Sequence, residues 1–177
     1  GTTTFNGTAS DQTLQTNDFS YFGNLTVNKP TIGAQKLTAL SDAYVQGNVT
    51  ITTNAGILDI TNRNFHIGGN LTVYNNTVLS APNDTTFITN GSTVYFDGNT
   101  VQQVIRNDNT KALTFNNIVF TGSTNKSFGY ANAGSNVVDI NGNLSILGGI
   151  NVYGYTAGLA TIYTFYVGGD WFNTGTF

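Results

Sequence analysis

Few residues in this chain are suited to chemistry. His66 is its one imidazole, with Arg63 three positions before it and Asp59 seven before. A carboxylate, a guanidinium and an imidazole can serve polysaccharide cleavage as acid, base and charge stabiliser. They need further carboxylates or a basic side chain converging on the same bond. Nothing nearby supplies those groups, so the three are expected to form a solvated surface, and the protein is not expected to be an enzyme. With no cysteine there is no thiolate nucleophile, disulfide or Cys-bound metal. All nine acids are Asp, without a D-x-D-x-D run or a G-G-x-G-x-D nonapeptide to hold calcium. No metal and no cofactor is expected. Tyr153 and Tyr155 offer rings for sugars to stack on, although Tyr is also a common strand residue. Asn-x-Thr/Ser triplets begin at Asn6, Asn24, Asn48, Asn70 and Asn143. In a chain with 29 Thr and 25 Asn, composition alone produces such triplets.

The elements that must carry these residues are strands. Only 8% of residues are charged and the net charge is -3, which excludes a basic nucleic-acid face and a polybasic membrane patch. There is no run of about 18 apolar residues to span a membrane as a helix. Low charge can signal disorder, but 39% hydrophobic and 12% aromatic residues, spread evenly, favour a packed β-structure. Glu is absent, Lys is scarce and Ala never clusters, so helices are not expected.

One phrase recurs. Gly23-Asn24-Leu25-Thr26-Val27 is followed by Gly47-Asn48-Val49-Thr50-Ile51, Gly69-Asn70-Leu71-Thr72-Val73 and Gly142-Asn143-Leu144-Ser145-Ile146, with weaker copies at Asn117 and Asp170. Spacings of 22 to 27 residues, with one double gap of 47, suit one coil of a β-solenoid. A longer repeat sits above this one. Phe5-Asn6-Gly7 through Gln12 matches Phe96-Asp97-Gly98 through Gln103 at an offset of 91, and later matches drift to 100. The sequence therefore predicts a parallel β-helix of about seven to eight coils. It would form one continuous solenoid from two copies of a roughly four-coil unit, residues 1–91 and 92–177. In the second copy Asn151 and Tyr166 stand where the first has Asp59 and His66, so cleavage chemistry would not repeat.

Strand alternation places Leu25, Val49, Leu71, Ile118 and Leu144 inside as one column, and Thr26, Thr50, Thr72 and Ser145 outside. Regular Thr ranks can match an ice lattice, but only Thr50-Ile51-Thr52 carries the paired Thr-x-Thr of an ice face. Gly and Asn before each strand are expected to supply left-handed backbone for the corner. Asn24, Asn48, Asn70, Asn117 and Asn143 are expected to stack there as a hydrogen-bonded ladder. An antiparallel sandwich also uses short, evenly spaced strands, but the preserved order over about 91 residues favours the solenoid.

These phrases, with Thr4-Phe5-Asn6-Gly7-Thr8 and the closing run Val167–Phe177, resemble repeats of very large secreted surface proteins of Bacteroidota. More broadly they resemble the β-helical shafts of filamentous-haemagglutinin-like adhesins and autotransporter passengers. The resemblance implies secretion, an extracellular or cell-surface location, and a structural role in an adhesin shaft or filament. It implies no catalytic residue. The alternative is a carbohydrate-binding or polysaccharide-cleaving β-helix, with surface glycans as partners. The first and last coils would expose unpaired strand edges, with Gly1, Thr3 and Phe5 at one end and Trp171, Phe172 and Phe177 at the other. Head-to-tail stacking on further copies is therefore expected.

Overall fold

A computed structural model describes residues 1–7, 10–17, 20–29, 35–52, 56–74, 86–107, 112–130, 136–155 and 163–177. The chain winds through three faces in turn. The first circuit holds β1 (Thr2–Phe5), β2 (Gln12–Leu14) and a lone bridge at Phe22; the second holds β3 (Asn24–Val27), β4 (Lys36–Ala39) and β5 (Ala43–Val45). Next come β6 (Val49–Ile51), β7 (Ile57–Asp59) and β8 (Asn64–Ile67), then β9 (Leu71–Tyr74), β10 (Phe87–Ile88) and β11 (Thr93–Phe96). They are followed by β12 (Gln102–Asn107), β13 (Leu113–Phe115) and β14 (Asn117–Phe120), and by β15 (Lys126–Tyr130), β16 (Asn136–Ile140) and β17 (Leu144–Ile146). The last circuit is β18 (Val152–Tyr155), β19 (Tyr163–Val167) and β20 (Trp171–Asn173).

The first face is a seven-stranded sheet, β1-β3-β6-β9-β12-β15-β18. The second is β2-β4-β7-β10 followed by a separate β13-β16-β19, and the third is β5-β8-β11-β14-β17-β20. Every described pairing is parallel, from β1 on β3 to β17 on β20. The chain is a parallel β-solenoid with no helix among the described residues, and the parallel ladders exclude the antiparallel sandwich. The first and third sheets run without a break past residue 91, through β9 on β12 and β8 on β11.

Alternation drives the packing. Leu25, Val49, Leu71, Val104 and Phe128 pair in register along the first face. Ala43, Phe65, Val94, Ile118 and Leu144 do so along the third. All ten are buried, each large side chain contributing about 1.5–3 kcal/mol. The single column expected from the sequence is thus two columns on two faces. Each repeated phrase moves in the same way. Between β3 and β14 lie three full circuits, β3 to β6 to β9 to β12, and then two more faces, β13 and β14. The matches β6 with β17 and β9 with β20 show the same displacement.

Among the described residues, the long polar side chains Lys29, Gln102, Arg106 and Lys126 lie buried, along with the smaller Thr86, Thr89, Ser92 and Ser127. Gln102 Nε2 donates to the Ile67 and Gly69 carbonyls at 2.7 Å, and its Oε1 accepts from the Gly98 amide at 2.9 Å. Gln12 repeats the pattern, accepting from the Gly7 amide at 3.2 Å and from Lys29 Nζ at 2.6 Å. The structural partner of Gln12 is therefore Gln102, one position before the Gln103 of the sequence match. Lys126 Nζ donates to the Gly98 carbonyl at 2.8 Å. Burial pulls its pKa down to about 8, with the nearby Asp97 charge opposing. Lys29 is lowered for the same reason, against the charge of Asp11.

Candidate functional site

The third face carries an aromatic column on its outer side. Register places Tyr44 beside His66 and His66 beside Tyr95. Parallel coils lie about 4.8 Å apart, so flat side chains in register meet face to face. The ring centroids are 4.4 Å apart at 17° for Tyr44–His66 and 4.3 Å at 2° for His66–Tyr95. Asp97, just beyond β11, holds the imidazole through Nδ1···Oδ2 at 2.6 Å. Sequence reading missed Asp97. It lies 31 residues from His66, and only the strand register brings the two together.

Two clefts share Tyr44 as a wall. One, of about 530 Å³, is lined by Gln46, His66, Asp97, Asn99 and Thr100. The other, of about 360 Å³, sits at the corner between the second and third faces and is lined by Thr16, Asn17, Leu40, Asp42 and Arg63. Both fall within the size range of small-ligand sites. Among the described residues each is lined by one carboxylate, Asp97 or Asp42. The arrangement suits binding through a ring face and a few hydrogen bonds.

The Asp59, Arg63 and His66 set does not converge. Asp59 lies on the second face, where it takes Lys36 Nζ at 3.3 Å and the Thr61 hydroxyl and amide at 2.7 and 3.1 Å. Burial would raise the Asp59 carboxyl, but these donors outweigh it and hold the group below the usual carboxylate range. Arg63 sits in the turn before β8 and faces the corner cleft. Tyr153 is exposed on the first face, and the side chain of Tyr155 lies outside the described residues. The outer Thr column runs Thr4, Thr26, Thr50, Thr72, but the Thr52 hydroxyl is engaged by the Val27 carbonyl and Asn28.

The corner asparagines form two ladders. On the first face, the Asn48 amide donates to Asn24 Oδ1, the Asn70 amide to Asn48 Oδ1 and the Gln103 amide to Asn70 Oδ1, each at 2.8 Å. On the third, the Asn143 amide donates to Asn117 Oδ1 and the Asp170 amide to Asn143 Oδ1, again at 2.8 Å. Asn143 therefore stacks with Asn117, away from Asn24, Asn48 and Asn70. The glycines before these residues are not left-handed; positive φ occurs at Gly91, Gly122, Gly148 and Gly149 instead. They are glycines because space is lacking. A Cβ on Gly47, Gly69, Gly142 or Gly169 would run into the ladder Oδ1 of Asn24, Asn48, Asn117 or Asn143 in the adjacent circuit.

The terminal residues lie at opposite ends of the stack. Thr3 and Phe5 belong to β1, which pairs on one side with β3, and Phe5 packs edge-on against Phe22 at 6.5 Å. The Gly1 carbonyl accepts from the Asn24 amide at 2.9 Å. At the far end Trp171, Phe172 and Phe177 are 48%, 56% and 47% exposed, with Trp171 and Phe177 edge-to-face at 4.8 Å. Among the described residues no helix is long and apolar enough to cross a membrane. No family model, curated protein or solved structure matches the chain.

Proposed function

We propose that this chain is a rod segment of an extracellular adhesin-like shaft or surface filament, extended head to tail by further copies of the same repeat. One observation carries the proposal: a parallel stack whose core columns and Asn ladders lie along the axis and end in open strand edges. β1 presents one such edge and β18, β19 and β20 the other, beside exposed Trp171 and Phe172. Each edge is a row of amides and carbonyls that another coil would pair. A head-to-tail contact of this kind propagates into a filament and does not close. The extracellular, adhesin setting rests on the resemblance of the Gly-Asn-Leu-Thr-Val phrases to secreted surface repeats.

Sedimentation velocity of residues 1–177 over a wide concentration range tests the stacking. Mass is expected to rise with concentration, and Trp171→Asp with Phe172→Asp is expected to hold the protein monomeric. A wild-type protein that stays monomeric throughout would contradict the proposal.

A further inference from the structure

We propose that the corner cleft between the second and third faces binds a carboxylate-bearing saccharide, with Tyr44 as the platform for its ring and Arg63 as the partner of its carboxylate. The inference does not rest on the shaft reading. A rod that never polymerised could carry the same site.

Three observations converge on this cleft. His66 covers one face of Tyr44, and no other ring contact involves Tyr44 among the described residues. Tyr44 is 39% exposed and forms a wall of the cleft. The C–H face of a pyranose is apolar and flat, and an open aromatic face with an apolar neighbour such as Leu40 receives it.

The second observation is Arg63. The chain has six Lys and Arg residues, and Lys111 lies outside the described set. Lys29, Arg106 and Lys126 are buried in the core, and Lys36 is paired with Asp59. Arg63 is therefore the one described Lys or Arg that is neither interior nor ion-paired. Its Nε is buried and has no hydrogen-bond partner in the protein. Arg63 lines the cleft, and a planar guanidinium fits a carboxylate through two parallel bonds.

The third is Asp42, which accepts from the Asn64 amide at 2.8 Å and from Asn64 Nδ2 at 2.9 Å. Its carboxylate is held in place by these bonds and retains lone pairs for further donors. One cation, one fixed acceptor and one partly exposed ring match a ligand that carries a single carboxylate, hydroxyl donors and a flat apolar face. Sugar acids have all three. A polyacidic peptide would bring extra negative charge against Asp42.

Isothermal titration of residues 1–177 against trigalacturonate, a hyaluronan tetrasaccharide and 3′-sialyllactose tests the site, with cellotriose as the neutral control. At least one acidic probe is expected to bind at least about tenfold more tightly than cellotriose. Arg63→Gln and Tyr44→Ala are each expected to weaken that binding about tenfold or more, while Tyr44→Phe retains it. Arg63→Lys keeps the charge but loses the planar fork, and is also expected to weaken binding. Circular dichroism matching wild type verifies that each variant is folded. The Arg63 Hε resonance is expected to shift on binding. The proposal is overturned if no acidic probe binds at millimolar concentration, if neutral and acidic sugars bind alike, or if Arg63→Gln binds as wild type. Displacement of the sugar by an oligo-aspartate peptide at equal affinity would assign the cleft to an acidic peptide and overturn it too.

Discussion

The first and third faces are built alike inside and differ outside. Both use Gly-Asn corners, at Asn24, Asn48 and Asn70 on the first face and at Asn143 on the third, both run an Asn ladder along the axis, and both bury alternate aliphatic and aromatic residues. Their outer columns diverge, with Thr4, Thr26, Thr50 and Thr72 on the first face and Tyr44, His66 and Tyr95 on the third. Inward and corner positions specify the coil, and outward positions are left to vary. Any recognition chemistry is expected on the third face, where the outward residues are large and flanked by clefts.

The largest effect is expected at the corner glycines. Gly47→Ala on the first face and Gly142→Ala on the third each place a methyl against a ladder Asn and break its hydrogen bond. Each is expected to cost about 2–4 kcal/mol in urea unfolding. Equal costs would confirm that the two ladders are equivalent, and a negligible cost at either face would break the comparison there.

Next is Lys126, whose interior amine belongs to the first face. Its folded pKa of about 8 lies below the 10.5 of an ordinary lysine, so between those values the unfolded chain binds more protons. Stability is therefore expected to rise with pH across that window. The charged amine's penalty is fully present below about pH 8 and absent above about 10.5. The gain is on the order of 1–3 kcal/mol. Lys126→Met should reduce this dependence to the share of Lys29, which is lowered in the same direction, as chemical unfolding at pH 7, 9 and 10 measures.

Truncating a ladder side chain has a smaller effect. Asn48→Ala and Asn143→Ala each remove one acceptor at an exposed corner, with an expected cost of about 0.5–1.5 kcal/mol. The outer columns sharpen the contrast between faces, with the smallest effect on the first face and one equal to a ladder truncation on the third. Thr50→Ser is expected to change stability by less than about 0.5 kcal/mol. Tyr95→Ala is expected to cost about 0.5–1.5 kcal/mol, because it unstacks His66.

The Gly-Asn phrase and its period made the parallel coil legible, because a coil of fixed length must reuse the same corner. The change of face was not legible. Leu25 and Ile118 obey the same in-out alternation, so nothing local marks Asn24 and Asn117 as belonging to different faces. The role of the corner glycines was also hidden, because the atom that excludes a side chain belongs to another circuit. His66 stood out by composition, yet its neighbours Tyr44, Tyr95 and Asp97 are joined to it by register alone. Nothing local in the sequence marks Lys29, Arg106 and Lys126 for burial, which became evident only in the fold.

Electron microscopy of residues 1–177 at high concentration tests the rod account most directly. Seven stacked strands at about 4.8 Å give a single chain an axial length on the order of 30–35 Å. Unbranched rods of constant width, with lengths extending in multiples of that value, are expected. Uniform particles of single-chain size at every concentration would contradict the rod account.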